Sequence, residues 1–121
     1  MAARSKNLPS RDVCPPRLRV DPEAMRTHAG DATRLLKALS NQSRLMILCS
    51  LARGELTVGQ INEQLPLSQS ALSQHLAVLR RDGLVRTRRA AQTIHYTLAD
   101  GPAGRIIELL HDIYCGPDER R

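Results

Sequence analysis

Two sets of side chains in this chain have the types and spacing to do chemistry. The first lies between Leu67 and Gly83. Wound at about 100° per residue, Ser70, Gln74 and Arg81 share one face with Ala77, Ser73 lies on its flank, and Gln69 stands near the start. Hydroxyl and amide side chains present donors and acceptors that match base edges in a major groove, and an arginine at the end of the set suits a phosphate. On this pattern alone, a plain surface helix rich in Ser and Gln remains the alternative. The second set is the cysteines, Cys14, Cys49 and Cys115. Three thiols with no C-x-x-C pair do not make a disulfide framework. No general base or oxyanion donors stand beside Cys49 or Cys115 in sequence, which argues against a thiol-handling enzyme such as a sulfur carrier.

The charge supports the first set. A net charge of +6 and a pI near 10.0 point to a polyanion, because clustered cations gain affinity by releasing counterions from a phosphate backbone. The cations are clustered: Arg80, Arg81, Arg86, Arg88 and Arg89 are opposed locally by Asp82 alone. An anionic membrane surface could attract such a patch, but no amphipathic insertion helix adjoins it. No apolar run is long enough to span a bilayer and the N-terminus lacks the apolar core of a signal peptide, so a cytoplasmic protein is expected.

These groups must be positioned by a small fold. The 121 residues make one domain, and with 2% aromatic residues its core must be aliphatic. Residues 1–20, rich in Arg, Lys, Ser and Pro, predict a disordered basic arm holding Cys14. Residues 21–116 predict the folded domain, and residues 117–121 a tail. Asp21-Pro22-Glu23 is a helix start, followed by an apolar seam of Met25, Ala29, Ala32, Leu36 and Leu39 that Gly30 interrupts. Asn41 to Ser43 caps a second helix with Leu45, Leu48, Cys49 and Ala52 inward. Thr57-Val58-Gly59-Gln60 fits a capping box; Pro66 ends that helix and Ser68 caps the next, whose Leu72, Leu76 and Leu79 form a buried stripe. Two short helices joined by a tight turn, the second with the polar face, make a helix-turn-helix.

Beyond Gly83 the period becomes two. Val85 and Thr87 alternate with Arg86 and Arg88, and Ile94, Tyr96 and Leu98 with Thr93, His95 and Thr97, a hairpin. Its tip, Arg89-Ala90-Ala91-Gln92, lacks glycine and predicts a loose loop. The last helix opens at Asp100-Gly101-Pro102 and carries Ile106, Ile107, Leu109, Leu110, Ile113 and Tyr114 around most of its circumference. Such a helix needs a partner, and packing with the first helix across a homodimer axis is expected. The fold class is mainly α with a β-hairpin, a winged helix-turn-helix. In this reading Gln69, Ser70, Ser73 and Gln74 face bases, while Arg81, Arg86, Arg88, Arg89 and Gln92 hold phosphates or reach the minor groove.

From about Asp31 to Cys115 the chain resembles the ArsR/SmtB winged-helix repressors, in LLKALSNQSRLMILCSL, ELTVGQI, IHYTL and most specifically LSQSALSQHLAVLRRDGLV. The resemblance implies a dimeric repressor on an inverted-repeat double-stranded DNA, released by an inducer. Metal-sensing members resemble E-L-C-V-C-D-L where this chain has Glu55-Leu56-Thr57-Val58-Gly59-Gln60-Ile61, without either thiolate. The C-terminal helix offers only Glu108, His111 and Asp112, too few ligands for the zinc or nickel type. No metal and no cofactor are expected. A thiol in the second helix and one at the end of the last is similar to the sulfide-responsive branch of the family, which implies redox sensing at Cys49 and Cys115 by a polysulfide or persulfide inducer that bridges them. A metal- or peroxide-responsive regulator of the same fold is the alternative.

Overall fold

The local signals of the sequence become elements in the order they were read. In a computed structural model that describes residues 18–116, Asp21 caps α1 (Pro22–Arg26), its carboxylate accepting from the Glu23 amide at 3.0 Å. The seam then breaks at Thr27 and His28, before Gly30, and resumes as α2 (Ala29–Leu39). Asn41 caps α3 (Gln42–Leu51). The capping box of Thr57 and Gln60 opens α4 (Val58–Gln64), with both reciprocal bonds made, and Ser68 caps α5 (Gln69–Arg81). The α4–α5 turn, residues 65–68, is pinned by Asn62, whose amide donates to the Leu67 carbonyl at 2.9 Å. At the far end of α5, Gly83 adopts φ +76° while the amides of Gly83 and Leu84 bond back to the carbonyls of Arg80 and Leu79. This left-handed close satisfies carbonyls at the helix end and drops the buried Leu84 into the core.

The hairpin forms β2 (Val85–Ala90) and β3 (Thr93–Leu98), and α6 (Pro102–Cys115) closes the described chain. Two features of the sheet differ from expectation. A two-residue strand, β1 (Leu56–Thr57), pairs antiparallel with β3, making a three-stranded sheet of order β1-β3-β2. The wing tip is tight, with Ala90 paired to Thr93 across only Ala91 and Gln92. Ala91 takes φ +57°, so the turn closes without glycine by holding an alanine in the left-handed region.

The core is aliphatic: Ile47, Leu48, Ile61, Leu72 and Leu79 are fully buried, with Leu76, Leu84, Val85 and Ile107 around them. The α5 stripe matches expectation; the α3 face matches it in part, with Leu48 buried and Leu45 and Cys49 packed against the core. Ile47, Leu48 and Leu51 fill the core, Leu45 and Cys49 are half-buried and Ala52 is exposed. Residues 45–49 are apolar throughout, so periodicity cannot choose the buried side and packing does. Of the apolar residues of α6, Ala103 and Ile107 are buried, whereas Leu109, Ile113 and Tyr114 lie open, as do Met25 on α1 and Leu36 on α2. The predicted arm, apart from residues 18–20, and the predicted tail lie outside the described residues, as does Cys14.

Candidate nucleic-acid interface and dithiol pair

The inward stripe of α5 fixes what it presents outward. With Leu72, Leu76 and Leu79 in the core, Gln69, Ser70, Ser73, Gln74, Ala77, Arg80 and Arg81 are all exposed. The helix is also held against rotation. From α3, Arg44 donates to the carbonyls of Ala38 and Lys37 at 2.9 and 3.2 Å, closing the C-terminus of α2, and its third nitrogen lies 3.5 Å from Nδ1 of the half-buried His75 on α5. A charged donor on the final carbonyls of a helix satisfies groups the helix leaves open and matches its dipole. His75 thus meets α3 beside the core stripe instead of lying on the outer face.

The arginines divide by partner. Arg81 bonds Asp82 at 3.3 Å but stays 64% exposed. Arg86 is 3.7 Å from Asp100, a pair open to water and worth little. Arg89 and Gln92 are exposed near the wing tip, and Arg89 has no ion-pair partner among the described residues. Arg88 is committed elsewhere. Its guanidinium grips Glu55 through two bonds of 2.9 and 2.8 Å, and His95, its cross-strand neighbour, lies 3.8 Å from the same carboxylate. This fork clamps the wing to the loop before β1. Arg80, Tyr96 and Val58 were not singled out as site residues, yet with Ser73, Ala77 and Arg81 they line a depression of about 520 Å³ between α5 and the sheet. The seven-residue spacing of Ser73 and Arg80 was the available signal for Arg80. Nothing local marked Tyr96, which the sheet carries there.

The hydrogen bonds from Arg88 hold the Glu55 carboxyl below the usual carboxylate range; they outweigh the opposing effect of desolvation, and the charges of Arg88 and His95 add to the lowering. A carboxyl lowered in the folded state stabilises the fold fully above its unfolded value, and that contribution is lost as pH falls through the lower folded value. In urea melts across acid pH, Glu55→Gln is expected to flatten the acid limb of stability relative to wild type. An unchanged limb would remove the clamp from the stability of the wing.

The two thiols belong to packed helices, since α3 and α6 are in contact. Cys49 is half-buried and Cys115 exposed, and both are free. Burial pushes the Cys49 thiol above its ordinary range, and the charge of Cys115 pushes it the same way. The tertiary fold thus brings residues from distant parts of the chain within electrostatic reach. Beside Cys49 an open groove of about 880 Å³ is lined by Arg53, Asp100, Arg105, Glu108 and His111 among others. Nδ1 of the half-buried His111 on α6 is shielded and makes no hydrogen bond among the described residues. Among the described residues no three His, Cys, Asp or Glu side chains gather into a metal-binding group, and no helix is long and apolar enough to cross a membrane.

Known proteins are similar to this chain in sequence and in fold. Residues 41–87 match the family described as bacterial regulatory protein, arsR family. The chain is 55% identical over 93 residues to the transcriptional activator HlyU of Vibrio cholerae, covering 77% of this chain and 86% of that protein. It is 47% identical over 96 residues to the biofilm growth-associated repressor of Agrobacterium fabrum, covering 79% and 82%. The crystal structure of the transcriptional repressor BigR from Xylella fastidiosa superposes with a TM-score of 0.74 at 40% identity, covering 79% of this chain and 98% of that one. With its capped helix-turn-helix, its basic wing and these relatives, the chain belongs to the arsR family of winged-helix transcriptional regulators.

Proposed function

We propose that the protein is a homodimeric repressor that binds an inverted-repeat DNA operator and releases it when reactive sulfur bridges Cys49 to Cys115. The observation that carries the DNA reading is the outer face of α5, where Gln69, Ser70, Ser73 and Gln74 are exposed on a helix locked by its core stripe and by Arg44. These four meet base edges in the major groove, Arg81 holds a phosphate, and Arg86, Arg89 and Gln92 carry the wing onto the neighbouring backbone. Arg88 joins them only by exchanging Glu55 for a phosphate. The open apolar residues of α1, α2 and α6 support a dimer, because Met25, Leu36, Leu109, Ile113 and Tyr114 are 48% or more exposed in the single chain. A dimer sets two α5 helices about 34–36 Å apart, one turn of the duplex.

The sulfur reading rests on the approach of α6 to α3 around the two thiols. Cys115 is open to an inorganic polysulfide, and its thiolate attacks a terminal sulfur to give a persulfide while a polysulfide one atom shorter leaves. Cys49 reacts in the same way through the groove beside it. The persulfide of Cys115 then attacks the carbon-bound sulfur of the Cys49 persulfide and expels sulfide. Three sulfur atoms now join the side chains, and the two electrons removed from the thiols leave on the expelled sulfide, whose sulfur came from the polysulfide. Such a bridge spans more than the roughly 7 Å between Cα atoms that limits a simple disulfide, and it ties α3 to the helix whose open face forms the dimer.

Fluorescence anisotropy of the reduced full-length protein on a palindromic duplex tests both halves. Tight binding that weakens steeply with salt is expected, and indifference to salt would sink the phosphate contacts. Inorganic polysulfide is expected to weaken binding about 5- to 150-fold and to add sulfur mass. Cys49→Ser and Cys115→Ser should each abolish that response; a wild-type response from both, or release by zinc or peroxide but not polysulfide, overturns the sulfur reading.

A further inference from the structure

A recognition helix in a major groove has a phosphate ridge on either side of it, and the wing serves only one. At about 100° per residue, Gln69, Ser73 and Arg80 make the wing flank of α5, since Ser73 and Arg80 share their depression with Tyr96 of β3. Ala71, His75, Val78 and Asp82 make the opposite flank. There, a second depression of about 540 Å³ lies between α5 and α2, and its lining includes Arg34, Lys37, Arg44, Val78, Arg81 and Asp82. With Asp31 also counted in the lining, two positive charges remain.

The cations differ in availability. Arg44 is spent on the carbonyls of α2 and on His75. Asp82, with its side chain 7% exposed, bonds both Arg34 at 3.4 Å and Arg81 at 3.3 Å, while those two remain 67% and 64% exposed. One sheltered carboxylate therefore sets two guanidiniums side by side and leaves most of their donors free. Lys37, one turn beyond Arg34 on α2, is exposed and has no ion-pair partner among the described residues. Arg81 lines both depressions and links this patch to the outer face of α5.

The geometry points to a second phosphate clamp, in which Arg34 and Lys37 of α2 hold the DNA backbone on the side of the recognition helix away from the wing. It rests on the reading that α5 lies in the major groove. The clamp carries affinity and register rather than sequence preference, because phosphates are the same at every base pair. Each protomer supplies one copy, so a dimer carries two clamps.

The test is the salt dependence of binding by the full-length protein, on a palindromic duplex and on a random-sequence duplex, between about 50 and 200 mM salt. Each phosphate contact contributes about 0.9 to the slope of log K against log salt. With two copies per dimer, Arg34→Ala and Lys37→Ala should each lower the slope by about 2 and the double variant by about 4, with equal fold losses on both duplexes at a given salt. Arg34→Lys should retain the wild-type slope. Both positions are exposed, and unchanged urea melts would confirm that the variants fold. A double variant with the wild-type slope, beside an Arg89→Ala protein whose slope falls, overturns the clamp and leaves the DNA reading intact. Wild-type protein that binds without salt dependence overturns both.

Discussion

Replacing Gln74 by alanine is expected to weaken operator binding by about 1–3 kcal/mol for each half-site, so by about 2–6 kcal/mol for a dimer if the half-sites act independently. Gln74 lies at the centre of the outer face of α5, opposite the Leu72–Leu76–Leu79 stripe, and is exposed. A side-chain amide there can give and accept one hydrogen bond at an adenine edge, and alanine leaves those base atoms dry and unpaired. Binding should weaken on the operator and change little on random duplex, with the salt slope unaltered, in anisotropy titrations at fixed salt. Equal losses on both duplexes would move Gln74 from base reading to backbone contact. The contrast with Arg34, Lys37 and Arg89 is diagnostic: loss of a base contact changes specificity, and loss of a phosphate contact changes the salt slope.

The second large effect is on the platform. Leu72→Ala is expected to destabilise the fold by about 2–5 kcal/mol in urea melts, the usual cost of truncating a fully buried leucine. Leu72 is 0% exposed and lies on the inward stripe of α5, against the core. A domain of this size holds only about 5–15 kcal/mol of stability in all, so the variant should lose a large part of it and bind DNA poorly above modest temperature. Leu109, 57% exposed on α6, gives the opposite profile. Its alanine variant should keep the stability of the single chain but raise the protein concentration needed for dimers. A Leu72→Ala protein as stable as wild type would mean that the α5 stripe does not anchor the reading helix.

Much of this was legible because the signals are local. A capping box needs residues three apart, and Thr57 with Gln60 gives one. The Ser68 cap and the α5 stripe are likewise set within a few turns, so the helix and its outer face could be drawn without tertiary information. Strand alternation located β2 and β3 for the same reason. Where the side chains themselves were ambiguous the face was placed only in part: residues 45–49 of α3 offer apolar groups on every side, and the packing of Ile47, Leu48 and Leu51 chose which lie deepest, with Leu45 and Cys49 at the margin. The wing tip differed because strand pairing out to Ala90 and Thr93 outweighed the cost of an alanine at positive φ.

What the sequence by itself determined is the α5 helix with its cap and polar outer face, the basic wing and the presence of two thiols in separate helices, since each depends on residue type and near-neighbour spacing. The tertiary structure alone decided the relations between distant segments. It paired Leu56 with Tyr96 to add β1, spent Arg88 on Glu55 across 33 residues, brought Cys115 near Cys49, and set Arg34 of α2 against Asp82 beyond α5. Ion pairs and strand pairing act over a few ångströms in space whatever their separation along the chain. No periodicity records them, so which arginines are free to meet a phosphate had to be settled by the fold.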